Sequence, residues 1–321
     1  MKKLEADSVH AYIELINEIV KKNTYTVDSP SAYNGRYLVE PMYVFRGHSN
    51  ENDYKLVPGI FRKRKMEDKA NCWTEAFSQN EFEILNDFIC ESCGYMKDVA
   101  VTDISAWLEI AQHFGVPTRL LDFTYNSLVA LYFACCSNPE KEGAVWMLDE
   151  KGYREIYYSQ YKSDYALKSK LIIGDILKDE LIDMVEKPNG EIRYDYPWIY
   201  KPMYRADRMN MQESVFLLWG KSHSPLDFLI KPENHMGDCL ENSLTCENNR
   251  KILGKITIPA IAKEIILDQL DTCGINEKYV YPGLDGIGKY IRKKYSNPVN
   301  PLVQEYRSGG VSIELTTVKD V

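Results

Sequence analysis

Trp107 to Cys136 reads W-L-E-I-A-Q-H-F-G-V-P-T-R-L-L-D-F-T-Y-N-S-L-V-A-L-Y-F-A-C-C, and its character changes twice within that span. Ile104, Trp107, Leu108 and Ala111 recur at 0, +3, +4 and +7, the spacing of one helix face. Gly115 can end that helix in the left-handed region, and Pro117 bars its continuation. After Asn126, a suitable N-cap, Leu128 to Cys136 is apolar on every side except at the Tyr132 hydroxyl. A helix apolar all round is a buried one. The polar residues between the two helices, Gln112, His113, Thr118, Arg119, Asp122 and Thr124, are therefore pinned beside a core. Polar groups held there must pair with one another or with a ligand.

Working outward, residues 4–22 predict an amphipathic helix with Ser8 as N-cap, and residues 23–35 a loop or short hairpin arm. Pro41 to His48 predicts a short strand running into Arg46-Gly47, where glycine permits a sharp turn or a close approach. An arginine at the end of a buried strand either pairs with a carboxylate or holds a phosphate or ribose through its planar fork. Helical patterning is expected over residues 72–89 and 155–187, and strands over 143–148, 211–219 and 255–259. Helices are expected at 260–270 and 287–295. Separated short strands and helices of this kind give an α+β fold, with mixed small sheets flanked by helices. Domain boundaries are placed at 1–38 for an N-terminal helix and loop, 39–295 for the main domain, and 296–321 for a tail or edge strand.

Composition narrows the function. Hydrophobic residues make up 45% of the 321 residues, enough for a core, and no apolar run reaches the length of a membrane span. Without a signal-peptide core at Met1–Glu5, the expected location is the cytoplasm, with no membrane partner. A net charge of −8 argues against phosphate attraction as the main binding force, although Arg62–Lys65 and Arg292–Lys294 form local basic clusters. Eight cysteines fit a reducing compartment. Cys90-x-x-Cys93 has no second pair at zinc-ribbon spacing, and His235, Cys239 and Cys246 lack a fourth ligand, so no metal is expected. Gly220-Lys221-Ser222 mimics the end of a P-loop, but Val215 stands where that loop needs glycine.

Phe45-Arg46-Gly47, then Ala111 to Thr124 (A-Q-H-F-G-V-P-T-R-L-L-D-F-T) and the A-x-x-F-A of Ala130 to Ala134, resemble the FRG-domain family of bacterial proteins. Phe123 replaces that family's tryptophan. Gln212 to Phe216 is similar to its third block, with Ser214 in place of glycine, and Lys255 to Gly286 to its closing pattern. The order of blocks also resembles, more distantly, ADP-ribosyltransferase folds with a split sheet core. There an arginine ends a first strand, a Ser/Thr strand end leads to a helix with A-x-x-F, and an acidic residue marks a later strand. The resemblance implies that Arg46 grips the phosphates or ribose of NAD as co-substrate, with Thr124 beside the nicotinamide ribose. Glu213 or Gln212 would bind the 2′-hydroxyl and stabilise the oxocarbenium-like state, with Glu213 as the catalytic candidate, and Gly47, His113, Arg119, Asp122 and Gln212 would line the cofactor site. Glu213 sits one residue after Gln212 rather than two, so the third motif is irregular.

Two readings of function follow. One is an NAD-consuming or ADP-ribosyl-transferring effector of a phage-defence or toxin–antitoxin system, with a protein or nucleic acid as acceptor. The other is a non-catalytic module that senses a nucleotide or nucleic acid. A purely structural network is a third account of the same residues, with His113 capping a helix and Arg119 paired to Asp122. On that pairing, Arg119→Ala leaves a buried unpaired carboxylate.

Overall fold

The computed structural model describes residues 4–28, 36–52, 55–65, 73–75, 80–157, 196–202, 207–220, 222–230 and 251–296. In chain order they form α1 (Val9–Asn23), a β1 (Tyr25–Asp28) and β2 (Arg36–Val39) hairpin, β3 (Tyr43–His48) and a second small pair, β4 (Lys63–Lys65) with β5 (Trp73–Glu75). Then come α2 (Glu81–Ser92), α3 (Ile104–His113), β6 (Leu120–Thr124), α4 (Ser127–Cys135), β7 (Gly143–Asp149), α5 (Glu150–Tyr157) and β8 (Trp198–Tyr200). The last elements are α6 (Asp207–Met211), β9 (Ser214–Leu218), α7 (Leu226–Leu229), β10 (Leu253–Ile258), α8 (Lys263–Thr272), α9 (Glu277–Val280) and α10 (Leu284–Ser296).

The α+β class holds, but the strands are gathered more than expected. Six of them make one sheet in the order β10-β7-β3-β6-β9-β8, with every neighbouring pair antiparallel. Alternation along β3 divides the interior in two. Val44 joins Trp107, Leu121, Phe123, Val215 and Leu217 on one face, where α2 and α3 pack. Tyr43 and Phe45 join Val145, Met147, Leu131 and Ile256 on the other, where α1, α4 and α8 pack. Tyr12 of α1 is fully buried there, and its hydroxyl donates to the Ser127 carbonyl at 3.0 Å. The N-terminal helix thus belongs to the same core as the sheet.

Local signals account for the two central helices. Asp103 caps α3 by accepting from the Ala106 N–H, and Gly115 ends it at φ +81°. Asn126 caps α4 by accepting from the N–H groups of Leu128 and Val129. As its all-apolar sequence requires, α4 is buried along nearly its whole length. It lies so close to the sheet that a Cβ on Gly47 would stand 2.0 Å from the Ala130 carbonyl oxygen and 2.7 Å from the Ala134 nitrogen. Gly143 meets the Ala134 carbonyl in the same way, at 2.4 Å. The A-x-x-F-A run and the glycine after Arg46 therefore form one seam of small residues.

Three expectations are corrected. Residues 73–75 form a strand, and helix α2 begins only at Glu81. Of the 155–187 helix only the end of α5 is described; it starts at Glu150, inside what reads as a polar strand boundary, and residues 158–195 lie outside the described residues. The strand expected from Met211 begins at Ser214, because 207–211 is helical. The tail at 297–321 and the cluster His235, Cys239 and Cys246 also lie outside the described residues.

The seam gives a direct test. Gly47→Ala pushes a methyl group into helix backbone that has no rotamer to yield. It should cost upward of about 3 kcal/mol, the upper end for overpacked cores. The check is the chemical-denaturation midpoint; a midpoint matching the parent would mean that α4 does not lie this close to β3.

Candidate functional site

The site begins where two strands part. β3 and β6 share a single register pair, Phe45↔Thr124. One residue further along β3, Arg46 turns its guanidinium to the neighbouring strand, and Nη1 donates to the Asp122 carbonyl at 2.6 Å. A strand carbonyl beyond the last ladder bond needs another donor, and Arg46 supplies it from a side chain. Arg46 Nε donates to His48 Nε2 at 3.0 Å, which leaves the imidazole proton on Nδ1. Arg46 Nη1 also lies 3.9 Å from Asp122 Oδ2.

A hollow of about 250 Å³ opens beside this gap. Its polar lining includes Arg46, Gln112, His113, Asp122, Arg208 and Ser214. Phe45, Phe123, Val129, Phe133, Met209 and Phe216 give it aromatic and apolar walls. Gly47, Thr124 and Gln212 complete it. Arg46, Gly47, Gln112, His113, Asp122, Thr124 and Gln212, all singled out from sequence, are thus brought to one place from β3, α3, β6 and the turn before β9. Arg208 and Met209 of α6 and the partner histidine His48 were missed by sequence reading. Their elements are short and remote along the chain, and no periodicity marks them.

Within the hollow some polar groups are already engaged. The Thr124 hydroxyl donates to the Gln212 carbonyl at 2.5 Å and accepts from the Asn126 N–H at 2.9 Å. The Gln212 amide donates to the Val280 carbonyl at 2.8 Å. A relay runs from the Thr118 hydroxyl to Gln112 Oε1 at 2.6 Å and from Gln112 Nε2 to Asp122 Oδ2 at 2.7 Å. It orients the Asp122 carboxylate, whose side chain is 55% exposed. The Arg46 side chain is only 16% exposed, and beyond His48 and Asp122 it makes no further hydrogen bond among the described residues.

Electrostatics favour an anion here. Burial lowers the Arg46 guanidinium to about 10, against the pull of Asp122 and with that of Arg62, so it stays cationic at neutral pH. Burial and the nearby Arg208 charge lower the His113 imidazole from its ordinary value, opposed by Asp122, so His113 is neutral at pH 7. A mostly buried cation with donors to spare beside an aromatic wall can hold a planar or phosphate-bearing ligand.

Two residues stand elsewhere. Arg119 was expected to pair with Asp122, but it turns to the other side of β6. There Nε donates to Glu81 Oε1 at 2.6 Å, Nη2 pairs with Glu81 Oε2, and Nη1 donates to the Trp219 carbonyl at 3.1 Å. Side-chain alternation is the reason: residues three apart on a strand face opposite sides. Glu213 is exposed, lies outside the lining and accepts from Asn126 Nδ2 at 3.3 Å. Its backbone sits at φ +46°, a conformation that favours glycine, in the turn that feeds β9.

Among the described residues no group of three or more His, Cys, Asp or Glu is placed to hold a metal ion, and no helix is long and apolar enough to cross a membrane. Cys90 and Cys93 are both free and exposed.

Two predictions follow from these contacts. Glu81→Ala and Arg119→Ala should each destabilise the protein by about 3–5 kcal/mol, since either leaves a largely buried charge alone, whereas Asp122→Ala should cost far less. Melting temperatures check this, and equal losses for all three variants would restore the Arg119–Asp122 pairing. Glu213→Gly should hold or raise stability, by at most about 1 kcal/mol, while Glu213→Val lowers it. A loss on Glu213→Gly would mean that the contact with Asn126 outweighs the backbone strain.

Residues 41–143 match the family model of the FRG domain, about a third of the chain. The matched segment carries Arg46, Gly47, Gln112, His113, Asp122, Thr124 and all of α4, and it ends where β7 starts. β7 pairs with β3, and β9 with β6, so the matched segment supplies the two central strands while the remaining strands of the sheet and part of the hollow's lining come from beyond it. No curated protein and no solved structure matches the chain.

Proposed function

We propose that the hollow binds a nucleotide, with NAD the first ligand to test, and that the chain acts as a nucleotide-sensing module of a bacterial defence system. The observation that carries this reading is the Arg46 fork. It is a cation held mostly out of water, with unfilled donors facing a cavity walled by Phe45, Phe123, Phe133 and Phe216. Phosphate would satisfy the fork, and a base or nicotinamide ring would lie against the aromatic wall. At about 250 Å³ the hollow falls just under the usual ligand range of about 300–1,000 Å³, so it suits one end of a dinucleotide rather than the whole. The FRG match is consistent with a defence-associated module, and the cytoplasm is the compartment in which such a sensor meets NAD.

NAD cleavage is a second reading, favoured by one feature. Asp122 presents an oriented carboxylate inside the lining, and we assign to it the charge-stabilising role that the sequence pattern gave to Glu213. The engaged Thr124 hydroxyl and Gln212 amide would then hold the backbone around it rather than touch substrate. The acceptor in that case would be water, protein or nucleic acid.

Calorimetric titration with AMP, ADP-ribose and NAD, with nicotinamide release followed in parallel, tests both readings. Arg46→Ala should abolish binding, and Arg46→Lys, lacking the planar fork, should weaken it by about tenfold or more. Binding of NAD, whose phosphates do not titrate in this range, should also strengthen as pH falls from 7 towards 5. A bound anion favours the protonated form of His113, whose free value lies below the ordinary 6.5. His113→Gln should flatten that dependence. Release of nicotinamide by the parent but not by Asp122→Asn would establish turnover. No binding of any of the three nucleotides would sink the proposal.

A further inference from the structure

One edge of the hollow opens onto a basic island that the nucleotide reading leaves unused. Residues 277–296 carry Lys278, Lys289, Arg292, Lys293 and Lys294 against Glu277 and Asp285, a local charge of +3 in a chain of net charge −8. Glu277 is itself paired with Lys293 at 3.2 Å. Three of the other cations there, Lys278, Lys289 and Lys294, rest on tyrosine faces, and so does Arg208 of α6. Arg208 and Lys289 lie 4.8 and 4.6 Å from the Tyr281 ring centroid. Lys278 lies 4.0 Å from that of Tyr290, and Lys294 5.6 Å from that of Tyr295.

The island is continuous with the hollow. Arg208 belongs to both, Phe133 of the hollow wall meets the Tyr281 ring edge-on at 6.4 Å, and Gln212 is tied to Val280. Cations preordered on aromatic rings beside a concave site match the needs of a flexible polyanion whose units each carry a phosphate and a flat ring. The outward side of α10 adds Leu284, Ile287, Ile291 and Tyr295, all exposed, as surface against which bases can lie. The same residues would suit a lipid surface, but a flat bilayer makes no use of an adjoining hollow lined by Arg46 and Arg208. We infer that Arg208, Tyr281, Lys278, Lys289 and Tyr290 form a shelf for single-stranded nucleic acid whose terminal nucleotide enters the hollow. The inference rests on the hollow being a nucleotide site.

The test compares a monomer with a strand on the full chain. AMP and a mixed-sequence single strand of about eight nucleotides, within the usual site size, are titrated into the parent and into the double variant Lys278→Glu/Lys289→Glu. The strand should bind at least about tenfold more tightly than AMP at low salt. That gain should shrink by on the order of tenfold between about 50 and 200 mM salt, as released counterions require. The double variant should lose the gain and keep the affinity for AMP, since neither lysine lines the hollow. AMP binding with no gain for the strand, or a gain that survives charge reversal, overturns this inference and leaves the nucleotide reading standing. Strand binding without any AMP binding overturns the terminal-nucleotide step together with that reading. Capture by phosphatidylserine vesicles, lost in the double variant and with no strand binding, replaces the nucleic acid with a lipid surface.

Discussion

The guanidinium of Arg46 stands in the gap where β3 and β6 stop pairing, and much of the molecule depends on how that gap is kept open. In a closed antiparallel sheet the Asp122 carbonyl would accept from a backbone N–H of its neighbour. Here it accepts from a side chain, while His48 holds the other side of the same guanidinium. The strands part without leaving a buried acceptor unsatisfied, and the parting makes a hollow in the middle of a sheet rather than at its edge. An arginine suits this role because its fork can serve a carbonyl, an imidazole and a third partner in one plane. A lysine would reach the carbonyl and drop the rest.

The position of α4 sets the depth of that hollow. Gly47 and Gly143 bring β3 and β7 against the backbone of the helix at Ala130 and Ala134, a spacing that no side chain would allow. Phe133, between the two alanines, is thereby directed to the hollow wall. The tripeptide Phe45-Arg46-Gly47 thus combines three tasks in successive residues: a core side chain, a bridging cation and a close approach. In this chain those residues stand where β3 and β6 stop pairing, and the chemistry of the opening depends on what the remaining elements add. Those elements, α6 and the turn before β9, come from beyond the matched segment.

Charge is distributed to the same end. The chain is acidic as a whole, yet Arg46 and Arg208 both line the hollow, and Arg208 shares the Tyr281 ring with Lys289 of α10. At physiological ionic strength, fields are screened within about 8 Å, so a ligand at the hollow responds to these near cations and little to the distant carboxylates. An overall charge is a poor guide to a local partner.

Much of the site was legible along the chain. Ser8, Asn126 and Gly115 punctuate their helices as their chemistry dictates, and the apolar run after Asn126 is buried as its composition requires. These are local effects, decided within a turn of helix, so sequence alone determined them. It also determined that the polar residues between α3 and α4 would be held beside a core. Which partner each would take was decided only by tertiary structure. Arg119 and Asp122 lie three residues apart, and on a strand that sends them to opposite faces, one to Glu81 and the other to Gln112 and Arg46. Glu213 fills a turn at positive φ outside the hollow's lining, while Arg208, which no pattern marks, is part of it. Long-range pairing brings together residues separated by more than a hundred positions, and no periodicity within either segment records where the other will land.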